Sequence, residues 1–258
     1  ILFKFRERKQ LRRIKYTLKM ENNTVSAKEN QLITNEYRSL IRAVSERLNL
    51  KEKKNIRQAF NIAIKAHKNS RRESGKLYVS HPISVAKIIA NDIGLGATSI
   101  ICGLLHDVVE DTTITIDNIK KEFGKEVALI IDGLTKISGV VESDVSLQAE
   151  SFRKMILTIS NDIRVVLIKI ADRLDNMRTL EYLAQHKQEK IASETLYLYA
   201  PLAHRLGLYS IKTELEDLSL KHTNSDAYFS ISKKLKETKD NRSKYIKKFI
   251  RPIKEKLK

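Results

Sequence analysis

Residues 98–109, TSIICGLLHDVV, are apolar on nearly every side until His106 and Asp107. A helix with no polar stripe is one buried on all faces. The segment therefore predicts a central buried helix with two ionisable groups at its end. A second run, VVLIKIADRL at 165–174, is also apolar on several faces, and Asp172 interrupts it. Burying a carboxylate or an imidazolium costs roughly several kcal/mol unless the group is paired or ligated. Two buried helices that each carry such groups predict an all-α core built around a polar centre.

Outward from these runs the helical period continues. Tyr37, Leu40, Ile41, Val44 and Leu48 recur at helical spacing from about Asn35. A second helix is expected over about 51–67, with Ile56, Phe60, Ala63 and Ile64 on one face. The polar loop KNSRRESGKLYVS follows, with Gly75 as its turn residue. Pro82 is expected at the first position of a helix over 82–93. Thr115 resembles an N-cap for a short helix that ends near Gly124. Further helices are expected at about 125–135, 148–160, 163–183, 187–200, 208–220 and 229–257, with a loop at 138–146. No repeat and no convincing strand is found, and the count is about ten helices.

Gly and Pro are scarce, at 8 and 3, which suits continuous helix. The net charge is +18, but residues 1–19 carry +7 and residues 230–258 carry +9. The centre is therefore near neutral and the ends are basic. Such ends read either as solvated segments or as a contact for RNA, the ribosome or another polyanion. Cys102 is the only cysteine, so no internal disulfide forms; it reads as a small core residue and fits a cytoplasmic location. No apolar run approaches membrane-spanning length. Met20 opens a start-like segment, so residues 1–19 read as an upstream extension. The expected organisation is a disordered or fraying N-terminal extension over 1–34, one domain over 35–222 and a basic helical connector over 223–258.

The ionisable residues form the chemical signal. His106 and Asp107 are followed four residues later by Glu110 and Asp111. Asn176 and Thr179 share a helical stripe with Asp172. His81 precedes Pro82 at a helix start. Two His and two Asp make a borderline-to-hard donor set, better suited to Mn²⁺, Mg²⁺ or Fe²⁺ than to a thiolate-type zinc site. Such an ion lowers the pKa of water and polarises a phosphoryl oxygen, and a nearby carboxylate takes the proton. His67 reads as a helix C-cap residue, His204 as a packing residue, and His186 and His222 as surface residues. No Ser-His-Asp or Cys-His arrangement and no phosphate-cradling glycine loop is present.

The runs HPISVAKIIA, GLLHDVVEDTTIT, DGLTKIS, QAESFRKMILTISNDIRVVLIKIADRLDNMRTL and ETLYLYAPLAHRLGLYSIKTELEDL resemble the hydrolase domain of the RelA/SpoT-homologue family from about residue 36 to 225. The resemblance implies an HD-domain helical bundle that holds one Mn²⁺ through His81, His106, Asp107 and Asp172, with Mg²⁺, Fe²⁺ or Zn²⁺ as other candidates. It implies that Glu110 and Asp111 activate and position the attacking water. It points to Arg72, Ser74, Asn176 and Thr179 as substrate contacts. The implied reaction removes the 3′-pyrophosphate of (p)ppGpp, leaving GDP or GTP. Lys169 and Arg173 are further cations near the site. The chain departs from the family at Ala66-His67-Lys68-Asn69-Ser70, at Glu73, and at Asp175, where the family usually has His. Asp175 reads as either a partner of a metal ligand or an added negative charge. The family's larger members continue into a synthetase domain, which this chain is expected to lack. Two other readings are an HD phosphohydrolase acting on NADPH or nucleoside phosphates, and a regulatory nucleotide- or RNA-binding module with a silent site.

Overall fold

The computed structural model describes residues 26–68, 70–138 and 162–256. Among them every regular element is helical, and the only strand-like feature is a single antiparallel bridge between Arg71 and Leu77. The helix expected at 148–160 lies outside the described residues, as do the extension at 1–19 and all but the first residue of the loop at 138–146.

Helix α1 spans Ala27–Val44, beginning well before the expected Asn35. Its start is chemical: the Ser26 side chain accepts from the Glu29 N–H, and the Glu29 carboxylate accepts from the Ser26 N–H. This reciprocal cap satisfies two donors that a helix start otherwise leaves unpaired. Periodicity misses it because the first turns are polar, and the boundary expected between 34 and 35 falls inside the helix. A second reciprocal cap, Asn49 with Glu52, starts α2 at Leu50–Ala66.

Helix α3 spans Ser80–Ile88 and passes into a π-helical turn at Ile89–Ile93. Pro82 is therefore the third helical residue and not the first. Its missing N–H remains harmless, because the first four N–H groups of a helix have no partner within it. Helix α4, Ala97–Leu105, is the buried centre. A break at His106 and Asp107 separates it from the short α5, Val108–Asp111, so the expected continuous helix over 98–109 is two elements. Helix α6, Ile116–Phe123, has the expected Thr115 cap, and α7 spans Lys125–Ser138.

Helix α8, Ile163–Arg178, is the second buried helix. Helix α9, Gln185–Glu194, continues through a π-helical turn at Thr195–Tyr199 into α10, Ala200–Arg205. Helix α11 spans Tyr209–Thr223. The expected last helix is also two, α12 at Ser225–Glu237 and α13 at Lys239–Lys256. Splits of this kind make the count of separate elements among the described residues larger, while the expected bundle of about ten helices holds.

Helix α4 packs against α2, α3, α7 and α8, and α8 packs in turn on α3, α7 and α11. Ile100, Leu104 and Leu105 of α4 and Val166, Ile168, Ile170 and Leu174 of α8 are fully buried. Each such side chain contributes roughly 1.5–3 kcal/mol of hydrophobic stabilisation. Gly103 explains the closeness of α3 and α4: a Cβ there would lie 2.5 Å from Ile89 Cδ1 and 3.4 Å from Ala86 Cα. Cys102 is buried in the same helix and burial pushes its thiol pKa up, as expected of a core residue. No described helix is long and apolar enough to cross a membrane.

Candidate metal centre and substrate cavity

The α4–α5 break, the start of α3 and the middle of α8 meet at one point. There His81 Nε2 lies 3.2 Å from Asp172 Oδ1 and 3.7 Å from Asp107 Oδ2. His106 Nε2 lies 3.2 Å from Asp107 Oδ2 and 3.8 Å from Asp172 Oδ1. His81, His106 and Asp172 thus bring one donor atom each within 4.8 Å of one another, and Asp107 Oδ2 stands beside both histidines. Both histidines and Asp172 are buried.

The far sides of the rings decide what this centre requires. His106 Nδ1 sits 2.9 Å from the Gly103 carbonyl oxygen, which only accepts, so Nδ1 carries the hydrogen. His81 Nδ1 sits 2.6 Å from Asp175 Oδ2 and donates to that carboxylate. In the neutral rings both Nε2 atoms are then bare lone pairs facing carboxylate oxygens. His106 Nε2 is buried with no hydrogen-bond partner. Nitrogen and oxygen lone pairs converging in a buried space repel unless a cation lies among them. The donor set, two imidazoles and two carboxylates, suits a divalent first-row ion or Mg²⁺. The residues therefore fit the metal that the resemblance implies.

The charges are tuned in the same sense. Burial opposes ionisation of Asp172, yet Lys169 and the two histidines hold its carboxyl well below the usual carboxylate range. Lys169 Nζ donates to Asp172 Oδ2 at 2.8 Å, and Asn176 Nδ2 donates to Asp172 Oδ1 at 2.7 Å. Burial also disfavours charge on His106, but Asp107 and Asp172 raise its pKa well above the ordinary histidine value. The field at the centre thus favours positive charge, which a proton or a metal ion supplies.

Above the centre lies a cavity of about 620 Å³, and of the four candidate ligands Asp172 reaches its wall. Of the implied substrate contacts, Arg72, Ser74, Asn176 and Thr179 all line it. The loop that carries Arg72 and Ser74 is a hairpin closed by Tyr78 N–H to Ser70 carbonyl at 2.8 Å, with the expected Gly75 at φ 78°. Ser74 Oγ is buried without a hydrogen-bond partner, as a hydroxyl kept for a ligand would be. Arg72 donates to Asp175 at 2.7 Å and to Asn176 at 2.6 Å, which joins the loop to α8. Thr179 caps α8 and completes the stripe read from the sequence.

Glu110 lines the cavity and Asp111 does not. The expectation that both acids share a face with His106 and Asp107 assumed continuous helix; a turn at His106 and Asp107 divides it into two elements. Lys169 and Arg173 both face the cavity, as expected. Burial opposes the charge on Arg173, but Tyr199 and Glu194 hold its pKa above the ordinary arginine value. Its guanidinium lies 4.2 Å from the Tyr199 ring centroid and 3.2 Å from Glu194.

Three contributions were not anticipated from the sequence. Tyr78 donates its hydroxyl to Asp107 Oδ2 at 2.7 Å, and Lys187 and Lys190 of α9 line the cavity. An aromatic three residues before His81 was the available signal for Tyr78. The lysines lie on a polar helix where nothing local distinguishes them. His67 is a C-cap residue, as read, but it is buried and packs on Tyr78 at 4.7 Å between ring centroids. His204 packs edge-on to Tyr209 while remaining exposed, His186 is exposed, and His222 is half-buried against Gln188.

An HD-domain family model matches residues 59–209, which contain every residue of the candidate metal centre and of the cavity named above. The chain belongs to the HD-domain family. Within it, the chain is 45% identical over 206 residues to a GTP pyrophosphokinase of Myxococcus xanthus, covering 78% of this chain and 27% of that protein. It is 42% identical to a guanosine-3′,5′-bis(diphosphate) 3′-pyrophosphohydrolase of Aquifex aeolicus, covering 76% of the chain and 28% of that protein. It is 43% identical to the bifunctional (p)ppGpp synthase/hydrolase SpoT of Escherichia coli K12, covering 79% of the chain and 29% of that protein. The chain thus spans between a quarter and a third of the length of these relatives. A solved structure described as "A metazoan ortholog of SpoT hydrolyzes ppGpp and plays a role in starvation responses" superposes with a TM-score of 0.50. It is 24% identical, with 66% of this HD-domain chain and 96% of that chain covered, and it supports the fold. The likeness to RelA/SpoT-type enzymes read from the motifs is borne out.

Proposed function

We propose that this HD domain hydrolyses the 3′-pyrophosphate of (p)ppGpp to GDP or GTP and pyrophosphate, with Mn²⁺ as its metal. The observation that carries the reading is the convergence of two bare imidazole nitrogens and two carboxylate oxygens beneath a cationic cavity. His81, His106, Asp107 and Asp172 would hold the ion, and Mg²⁺, Fe²⁺ and Zn²⁺ remain the competing occupants. When bound, a divalent ion supplies Lewis-acid charge to a phosphoryl oxygen and lowers the pKa of water.

The chain's own residues supply the rest. Glu110, on the cavity wall, takes a proton from the attacking water, and Asp111 helps to position that water. Arg72, Lys169 and Arg173 offset the charge of a polyphosphate. Ser74 offers its unpartnered hydroxyl, while Asn176 and Thr179 contact the nucleoside. The names of the Aquifex and Escherichia relatives support guanosine polyphosphate as the substrate class. The basic C-terminal helices support a separate contact with RNA or another polyanion.

The test is pyrophosphate release from ppGpp with Mn²⁺ and with chelator, for the parent chain and for Asp172→Ala. Mn²⁺-dependent release of GDP and pyrophosphate, lost in the variant, is expected. No turnover in Mn²⁺ overturns the reading, and turnover of NADPH in its place moves the site to another nucleotide.

A further inference from the structure

Asp175 is buried, with 5% of its surface exposed. It lies three residues after Asp172 on α8, so a rigid helix presents both carboxylates on one side. One oxygen of Asp175, Oδ2, receives two donors: His81 Nδ1 at 2.6 Å and Arg72 Nη1 at 2.7 Å. The first donor belongs to a ring whose other nitrogen faces Asp172 and Asp107. The second belongs to a guanidinium on the cavity wall. This carboxylate therefore touches the metal centre and the substrate cavity without belonging to either.

We propose that Asp175 is a positioning residue: it locks His81 with Nε2 toward the metal and anchors Arg72 at the cavity wall through the same oxygen. The inference rests on the metal reading above. An imidazole has two tautomers and a freely turning ring. An acceptor on Nδ1 removes both freedoms and makes Nε2 a better electron donor. His106 has only a backbone carbonyl, that of Gly103, in the same role. The two histidines are thus held by unlike partners, and His81 alone has a charged one. Arg72 arrives from a hairpin with no regular structure of its own, so without Asp175 its fork keeps a single side-chain acceptor, Asn176. A purely structural ion pair between the loop and α8 would leave the affinity for metal unchanged, and that distinguishes the two roles.

The experiment titrates Mn²⁺ into the parent chain, Asp175→Asn and Asp175→Ala, and counts free Mn²⁺ by its electron paramagnetic resonance signal. No substrate is present, and circular dichroism melts confirm that each variant is folded. Loss of such a partner weakens metal binding by roughly 10–100-fold, and that is the expected result for both variants. At saturating Mn²⁺ the KM for ppGpp rises in the alanine variant, because Arg72 has lost its anchor. The isosteric asparagine variant keeps the measurement available where alanine unfolds the site. Variants that bind Mn²⁺ like the parent overturn the role of Asp175 alone. A parent chain that binds no Mn²⁺ overturns the metal reading, and the role of Asp175 with it.

Discussion

Helices α8 and α13 are both heavily charged, yet their charges do opposite things. On α8, Lys169, Asp172, Arg173 and Asp175 are buried or nearly so, and each is held by a named partner. On α13, Lys247, Lys248, Arg251 and Lys254 stand in solvent beside an equally exposed Phe249. The pair Arg251–Glu255 there is exposed on both sides. A charge kept out of water must be compensated by geometry, so its presence marks a site. A charge in water needs no compensation and by itself does not mark a catalytic site. The comparison predicts that substitutions on α8 and its partners change chemistry, while those on α13 change little beyond the local surface.

The largest effect is expected at Asp172, the proposed ligand that interrupts α8. Asp172→Ala removes a donor from the centre and the partner of Lys169 and Asn176. Loss of Lewis-acid catalysis worth several kcal/mol lowers pyrophosphate release by at least on the order of 10³-fold. A Mn²⁺-dependent rate in this variant close to the parent's would break the comparison at its strong end.

Next comes the packing that brings α3 to α4. In Gly103→Ala the new methyl meets Ile89, and overpacking of this kind destabilises by about 1–3 kcal/mol. Because His106 donates to the Gly103 carbonyl, Mn²⁺ affinity falls together with the melting temperature. Calorimetry of apo and Mn²⁺-loaded protein separates the two losses. An unchanged melting temperature would show that the two helices can move apart freely.

A smaller effect concerns pH. Burial lowers the pKa of His67 to about 4 from an ordinary value of 6.5. The unfolded chain thus takes up this proton first, and stability contributed by neutral His67 is full above about pH 6.5. It declines as pH falls toward 4. His67→Gln removes that part of the slope, on the order of 2 kcal/mol across the window. Urea melts at both ends of the window measure it, with the parent curve including the opposite contributions of His81 and His106. Equal slopes in parent and variant would place His67 outside the buried polar centre.

The smallest effect is expected on α13. Lys247→Ala with Lys248→Ala changes stability by no more than roughly 0.5 kcal/mol and leaves ppGpp hydrolysis at the parent's rate. A large loss of hydrolysis would join this helix to the site and erase the contrast with α8.

Much of the fold was legible because helix signals are local. The unbroken apolar surface of 98–105, the Thr115 cap and the Gly75 turn can each be read within one or two turns of chain. The capping box at Ser26 and Glu29 was equally local but lay in a polar stretch that periodicity does not flag. The break at His106 was not legible, since LLHDVV holds no Gly or Pro to signal one. The types and order of the ligand residues stood out because ionisable groups in buried runs are costly. Asp175 could be seen to depart from the family, but neither of its two readings could be chosen from the sequence.

By itself, then, the sequence determined which segments are helical, which of them are buried, and which residue types must find partners inside. Only the tertiary structure decided that the two Nε2 atoms face Asp107 and Asp172, that Asp175 receives both His81 and Arg72, and that Glu110 rather than Asp111 reaches the cavity. The physical reason is range. A 3.6-residue repeat and a cap are properties of neighbouring residues, whereas convergence of atoms from α3, α4 and α8 depends on helix packing that many distant side chains set together.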